Sequence, residues 1–251
     1  MDTATFQRAA AEALIGDCVA VYLGGSRALG WGHQASDIDL FALTDAPPTA
    51  FDGRNLDVTV RGDKPPIVIS FFEGIRVDTE YWSTAQLQEL AQRLTDIRER
   101  EGLSHGDLDV LWRLRHSQFI SGDEQLVRAL QATVSRTDLD AEFLQRGVYS
   151  AEVRLDDAAG LLASGEEFMA AVSAREAFAR VVDALLSESG SSAPPSKWRP
   201  KRLGMVPELS WLTAEYFDVE TMAGLDPEAP GLWARRVILR CRELIRDIDG
   251  A

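Results

Sequence analysis

Val21-Tyr22-Leu23-Gly24-Gly25-Ser26-Arg27-Ala28-Leu29-Gly30-Trp31-Gly32-His33-Gln34-Ala35-Ser36-Asp37-Ile38-Asp39-Leu40 is the stretch that decides how this chain is read. Residues 19–23 form a short β-favouring run, which Gly24 and Gly25 end with backbone freedom and room for close approach. Ser26 stands where a helix begins, among free N–H groups whose dipole favours negative charge. Asp37 and Asp39 flank Ile38, and the apolar run continues through Leu40, Phe41, Ala42 and Leu43. Strand alternation puts the two carboxylates on one face, roughly 6.5–7 Å apart along the backbone. At that spacing they can share one or two hard divalent cations while Ile38 faces the core. A phosphate seat made by Gly24, Gly25 and Ser26 therefore precedes a metal clamp. Arg27 either adds charge to that seat or is a solvated helix residue. Gly30-Trp31-Gly32 reads as a connector, Ser36 as a buttress for the turn before Asp37, and His33 as a surface residue near the expected metal.

Outward from this stretch, residues 3–15 read as an amphipathic helix ended by Gly16. Residues 37–43 make the second strand, residues 55–61 a possible edge strand, and residues 67–82 a hairpin turning at Glu73-Gly74. Thr84 caps a helix over residues 85–100 with Leu87, Leu90, Ala91 and Leu94 as its apolar stripe. Beyond Gly102 the pattern predicts only helices, over residues 104–118, 123–135, 139–163, 166–187, 207–216 and 231–247. The expected class is α+β, a small mixed-sheet domain over residues 1–100 followed by an all-α bundle over residues 101–251.

The chain has 251 residues and a formal net charge of −14, a balance opposed to gripping nucleic acid through its backbone alone. A nucleic-acid substrate is thus disfavoured without being ruled out. Cys18 and Cys241, far apart in apolar contexts, read as free thiols of a reducing compartment. Three histidines without a ligand spacing argue against zinc. No apolar run approaches the ~20 residues of a membrane span, and the first residues lack a signal-peptide pattern. The expected location is cytoplasmic.

Gly24-Gly25-Ser26, followed eleven residues later by Asp37-Ile38-Asp39, resembles the signature of the nucleotidyltransferase superfamily related to DNA polymerase beta. It most resembles the small bacterial branch of aminoglycoside, lincosamide and minimal nucleotidyltransferases. The resemblance implies a nucleotidyltransferase domain packed against a helical C-terminal domain, with substrate in the cleft between them. It implies Mg²⁺, two ions by the two-metal pattern, and a third carboxylate on a neighbouring strand. Asp78, set between Val77 and Thr79, has the surroundings the superfamily uses for that role, and Glu80 projects from the same strand face as a general base or substrate contact. Asp57 and Asp63 are weaker rivals. Ser196-Lys197-Trp198-Arg199-Pro200-Lys201-Arg202-Leu203 is similar to a run in the helical domain of that branch. There Lys197 and Lys201 would neutralise a triphosphate, and Trp198 would stack on a ring or pack in the core. Arg175 and Glu176 either line the cleft or form an inter-helix ion pair. The last helix, with Arg235, Arg236, Arg240, Arg242 and Arg246, reads as an amphipathic surface face.

The expected activity is metal-dependent transfer of a nucleoside monophosphate, AMP from ATP first, to a hydroxyl acceptor with release of pyrophosphate. A small molecule is the first acceptor class. A protein hydroxyl, an RNA end, or a non-catalytic binding module on the same fold are the alternatives. The oligomeric state is open between monomer and homodimer.

Overall fold

A computed structural model of the chain describes residues 2–45, 66–193 and 195–249. The possible edge strand over residues 55–61, with Asp57 and Asp63, lies outside the described residues. The chain divides into two compact units, Met1–Thr137 and Asp138–Ala251.

The first unit opens with α1 (Thr3–Ala13), capped by the Asp2 side chain, which accepts from the Thr5 amide. Then follow β1 (Ala20–Leu23), α2 (Gly25–Ala28), β2 (Ile38–Thr44), β3 (Ile67–Phe72) and β4 (Ile75–Ser83). The unit ends with α3 (Thr84–Thr95), α4 (Ile97–Arg100), α5 (His105–Arg115), β5 (Gln118–Gly122) and α6 (Glu124–Ser135). The five strands form one mixed sheet in the order β3-β4-β2-β1-β5, in which β2 and β4 run parallel and the other neighbours antiparallel. Alternation divides the side chains between two faces. Val21, Leu23, Ile38, Leu40, Phe72 and Val77 pack on Phe6, Ala9, Ala10 and Ala13 of α1. The other face carries Asp39, Phe41, Asp78 and Glu80, and α5 lies over it with Arg113 on the Phe41 ring.

Three expectations change here. Residues 118–122 are a strand, not the end of a helix: α5 stops at Arg115, and β5 pairs antiparallel with β1 through an irregular register at Val21/Tyr22. The segment is short and only Ile120 is buried, so no alternating apolar pattern marks it, and the open edge of β1 makes it a strand. The helix foreseen over residues 85–100 breaks at Asp96, whose side chain accepts from the Arg98 amide and starts α4. Ser83, not Thr84, caps α3, in a reciprocal box with Gln86. α5, β5 and α6 fall within the first unit, which ends at Thr137.

The regular elements among the second unit's described residues are all helices, with α7 (Leu139–Ala163), α8 (Glu167–Glu188), α9 (Arg199–Met205), α10 (Leu212–Glu220) and α11 (Pro230–Asp249). Small residues let α7 and α8 approach closely: the backbone of Ala184 lies where a side chain on Gly147 would go, and Ala151, Ala158, Ala170, Ala171, Ala174 and Ala177 are buried. Val237, Cys241, Leu244 and Ile245 form the buried seam of α11, as its pattern predicts, and Cys18 and Cys241 are free thiols. The segment over residues 207–216 is a short 3₁₀ turn, Pro207–Leu209, followed by α10.

Candidate active site

The glycine turn is tied to the acid-bearing strand by its backbone. The Gly24 amide donates to the Asp39 carbonyl at 2.8 Å. Gly25 adopts φ 63°, and a Cβ there would collide with the Asp39 carboxylate, so only glycine lets the turn close on that acid. Gly25 opens the one-turn helix α2, with Ser26 as its second residue. The amides of Trp31 and Gly32 both donate to the Ser26 carbonyl, at 2.8 and 2.9 Å, folding the connector back under the turn. Arg27 is engaged in the same loop. Its guanidinium donates to the carbonyl of Asp37 at 3.0 Å, of Gln34 at 3.3 Å, and of Ser36 at 2.9 Å through Nε. Ser36 Oγ accepts from the His33 amide at 2.9 Å, which fits its expected buttressing role. His33 accepts from the Ala35 amide, a loop contact.

The register of the parallel pair sets Asp39 directly beside Asp78, and Phe41 beside Glu80. Neighbouring strands lie about 4.8 Å apart, so the two aspartates share one face as adjacent side chains. Asp37 precedes β2 and is exposed at its mouth. Burial pushes the Asp39 carboxyl up to about 6; Arg113 opposes that shift, while Asp78, Asp37 and Glu80 add to it. A largely buried carboxylate with other acids beside it on the same face is a donor set that a hard divalent cation neutralises, and in that sense the residues fit the metal. Asp39 and Asp78 would hold it, with Asp37 at the rim. Among the described residues no three acidic, cysteine or histidine side chains are already drawn together as ligands. Both Asp78 oxygens are occupied by Arg76, at 2.6 and 2.9 Å.

Glu80 is likewise engaged. Its Oε1 accepts from Arg113 at 2.7 Å and its Oε2 from the Trp82 indole at 3.2 Å. Arg113 also lies 3.0 Å from Asp109. Sequence reasoning missed Arg113, Asp109 and Arg76. The available signal was a charged i,i+4 pair, Asp109 and Arg113, inside a helix whose other faces carry Val110, Leu111, Trp112 and Leu114. Beside Glu80 opens a cavity of about 570 Å³, whose charged lining includes Glu89, Asp107 and Asp109 against Arg93 and Arg113.

In the second unit the basic run splits in two. Arg199 and Arg202 are only 4% and 1% exposed and converge on Asp183, at 2.8 and 3.4 Å. Arg202 also donates to the carbonyls of Ser191 and Ala193. Burial depresses it to about 10, against the pull of Asp183. Lys197 and Lys201 are exposed, with their ammonium groups 5.4 and 5.8 Å from the Trp198 ring centre. Glu176 forms an inter-helix ion pair with Arg154 at 3.4 Å.

Residues 11–122 match the nucleotidyltransferase domain family. The fold is similar to the crystal structure of a nucleotidyltransferase-like protein from Exiguobacterium sibiricum 255-15, with a TM-score of 0.53 and 11% identity, over 98% of this chain and 74% of that one. A search of curated protein sequences gives no significant match. No helix among the described residues is long and apolar enough to cross a membrane.

Proposed function

Since this chain belongs to the nucleotidyltransferase superfamily through its residues 11–122, we propose that it moves a nucleoside monophosphate from a nucleoside triphosphate, ATP first, to a hydroxyl acceptor. The acceptor oxygen forms a bond to the α-phosphorus, the α–β phosphoanhydride bond breaks, pyrophosphate leaves, and the hydroxyl proton passes to solvent. The observation that carries this reading is the pairing of Asp39 with Asp78 on adjacent parallel strands, against a glycine turn that admits no side chain. Bound Mg²⁺ supplies charge neutralisation on the phosphates and activation of the hydroxyl. Asp39 and Asp78 hold that cation, assisted by Asp37, and the Gly24–Ser26 backbone seats phosphate oxygens. Arg27 shapes the loop that carries Asp37. Glu80, with both oxygens engaged, serves the strand face rather than the proton. Lys197 and Lys201 belong to the same proposal as the cations for the departing pyrophosphate.

The acidic lining of the cavity beside Glu80 supports a small, cation-bearing acceptor. The net charge of −14 supports it over RNA. A cytoplasmic setting accords with the two free thiols. A second reading, nucleotide binding without transfer, is favoured by one observation, the clasp of Arg76 on both Asp78 oxygens.

Incubation with α-labelled ATP, Mg²⁺ and panels of amine-bearing polyols, peptides and RNA tests the proposal. Label on an acceptor together with pyrophosphate release, both lost in Asp39→Asn, is the expected result. Nucleotide binding with no pyrophosphate from any panel, unchanged by Asp39→Asn, would select the binding module instead.

A further inference from the structure

Three acids line one face of the sheet within two steps along β2 and β4: Asp39 beside Asp78, then Glu80 beside Phe41. A divalent cation drawn to that face could take Asp78 or Glu80 equally well by charge alone. The structure distinguishes them by what faces each. Asp78 is clasped by Arg76, an outer residue of its own strand with 46% of its side chain exposed. Glu80 is met by Arg113, a residue of a different element with only 18% of its side chain exposed, at 2.7 Å, and the Trp82 indole takes its other oxygen. Arg113 is fixed on three sides. Its guanidinium carbon stands 4.7 Å from the centre of the Phe41 ring, Glu80 is in front of it, and Asp109 holds it from its own helix at 3.0 Å. An exposed clasp is exchanged at little cost, whereas a pair largely withdrawn from solvent, broken on one side, leaves a poorly compensated charge.

We infer that Arg113 is a positioning residue: a fixed cation that withholds Glu80 from the metal and leaves the ion to Asp39 and Asp78. The inference rests on the proposed metal-dependent function and concerns which acids that function uses. Removing Arg113 releases Glu80, two residues along the same strand face from Asp78, to reach the ion. Metal then binds more tightly but off its working position, so affinity and transfer rate move in opposite directions. Loss of a merely structural residue lowers both.

The test is Mn²⁺ affinity by calorimetry on the metal-free full-length protein, with folding checked by circular dichroism. Arg113→Met is expected to bind Mn²⁺ on the order of tenfold more tightly, and Arg113→Lys as the wild type does. Glu80→Gln alone should shift affinity by less than about threefold, because Asp109 still neutralises Arg113. Added to Arg113→Met, it should abolish the gain, a non-additivity that through-space charge does not produce. Unchanged or weaker Mn²⁺ binding by folded Arg113→Met overturns the inference, and so does a gain that survives Glu80→Gln. If Arg113→Met does not fold, Arg113→Gln takes its place, and a shift above threefold in Glu80→Gln alone is itself decisive against the inference. Asp39→Asn separates the two levels. Binding abolished there but indifferent to Arg113 sinks only this inference, whereas binding absent from the wild type or indifferent to Asp39 sinks the metal-dependent function as well.

Discussion

Asp39 holds its proton more tightly in the folded protein than in the unfolded chain, since burial and its acidic neighbours raise it from an ordinary carboxylate to about 6. In the absence of metal, its contribution to stability is complete below about pH 4 and is lost as pH rises through about 6. A shift of this size corresponds to about 2–3 kcal/mol. Asp39→Asn should therefore raise the thermal midpoint of the chelated protein at pH 8 by about 4–8 °C and leave it nearly unchanged at about pH 3. Scanning fluorimetry across that range checks it, and a difference that does not vary with pH would refute the assignment. The same variant should lose nucleotidyl transfer by a factor of about a hundred or more. Gly25→Ala combines a left-handed backbone cost of about 1–2 kcal/mol with a methyl group driven into the Asp39 carboxylate. It is expected to destabilise the protein and to abolish Mn²⁺ binding together, as read by calorimetry. Retained binding at native affinity would show that the turn does not shape the site.

At the scale of elements, the basic run around α9 shows how similar residues divide their labour. Arg199 and Arg202 face inward onto Asp183, while Lys197 and Lys201 face solvent. Asp183→Asn strands two buried guanidinium groups and should cost about 3–5 kcal/mol, measured by urea unfolding. Lys197→Ala and Lys201→Ala should stay within about 0.5 kcal/mol of the wild type while raising KM for the nucleotide. The reverse pattern, tolerant Asp183 and fragile lysines, would contradict the division. The glycine turn, the two strands and the long bundle helices were legible because each writes its period or punctuation locally. The fates of Glu80 and Arg27 were not, because each depends on a partner that sequence spacing does not reveal. Glu80 meets Arg113 from a helix that begins more than twenty residues later, and Arg27 meets the backbone carbonyls of its own loop. Strand β5 was hidden for a related reason: an edge strand with one buried side chain takes its conformation from the neighbour it completes.

For the whole molecule, the first unit runs to Thr137. A fragment of residues 1–137 should fold with native-like circular dichroism and elute as a defined species. A fragment of residues 1–100 lacks β5, α5 and α6, leaves β1 as an open edge, and should aggregate. Equal behaviour of the two in size-exclusion chromatography would remove the reason for placing the boundary there. The position of β5 also sets a timetable for synthesis. The strand that leads into the Gly-Gly-Ser turn emerges first from the ribosome, yet its outer hydrogen-bonding row has no partner until Gly122 has been made. A functionally committed segment is thus kept waiting for its outer partner, and slow translation across the intervening stretch would leave it prone to pairing with a stranger.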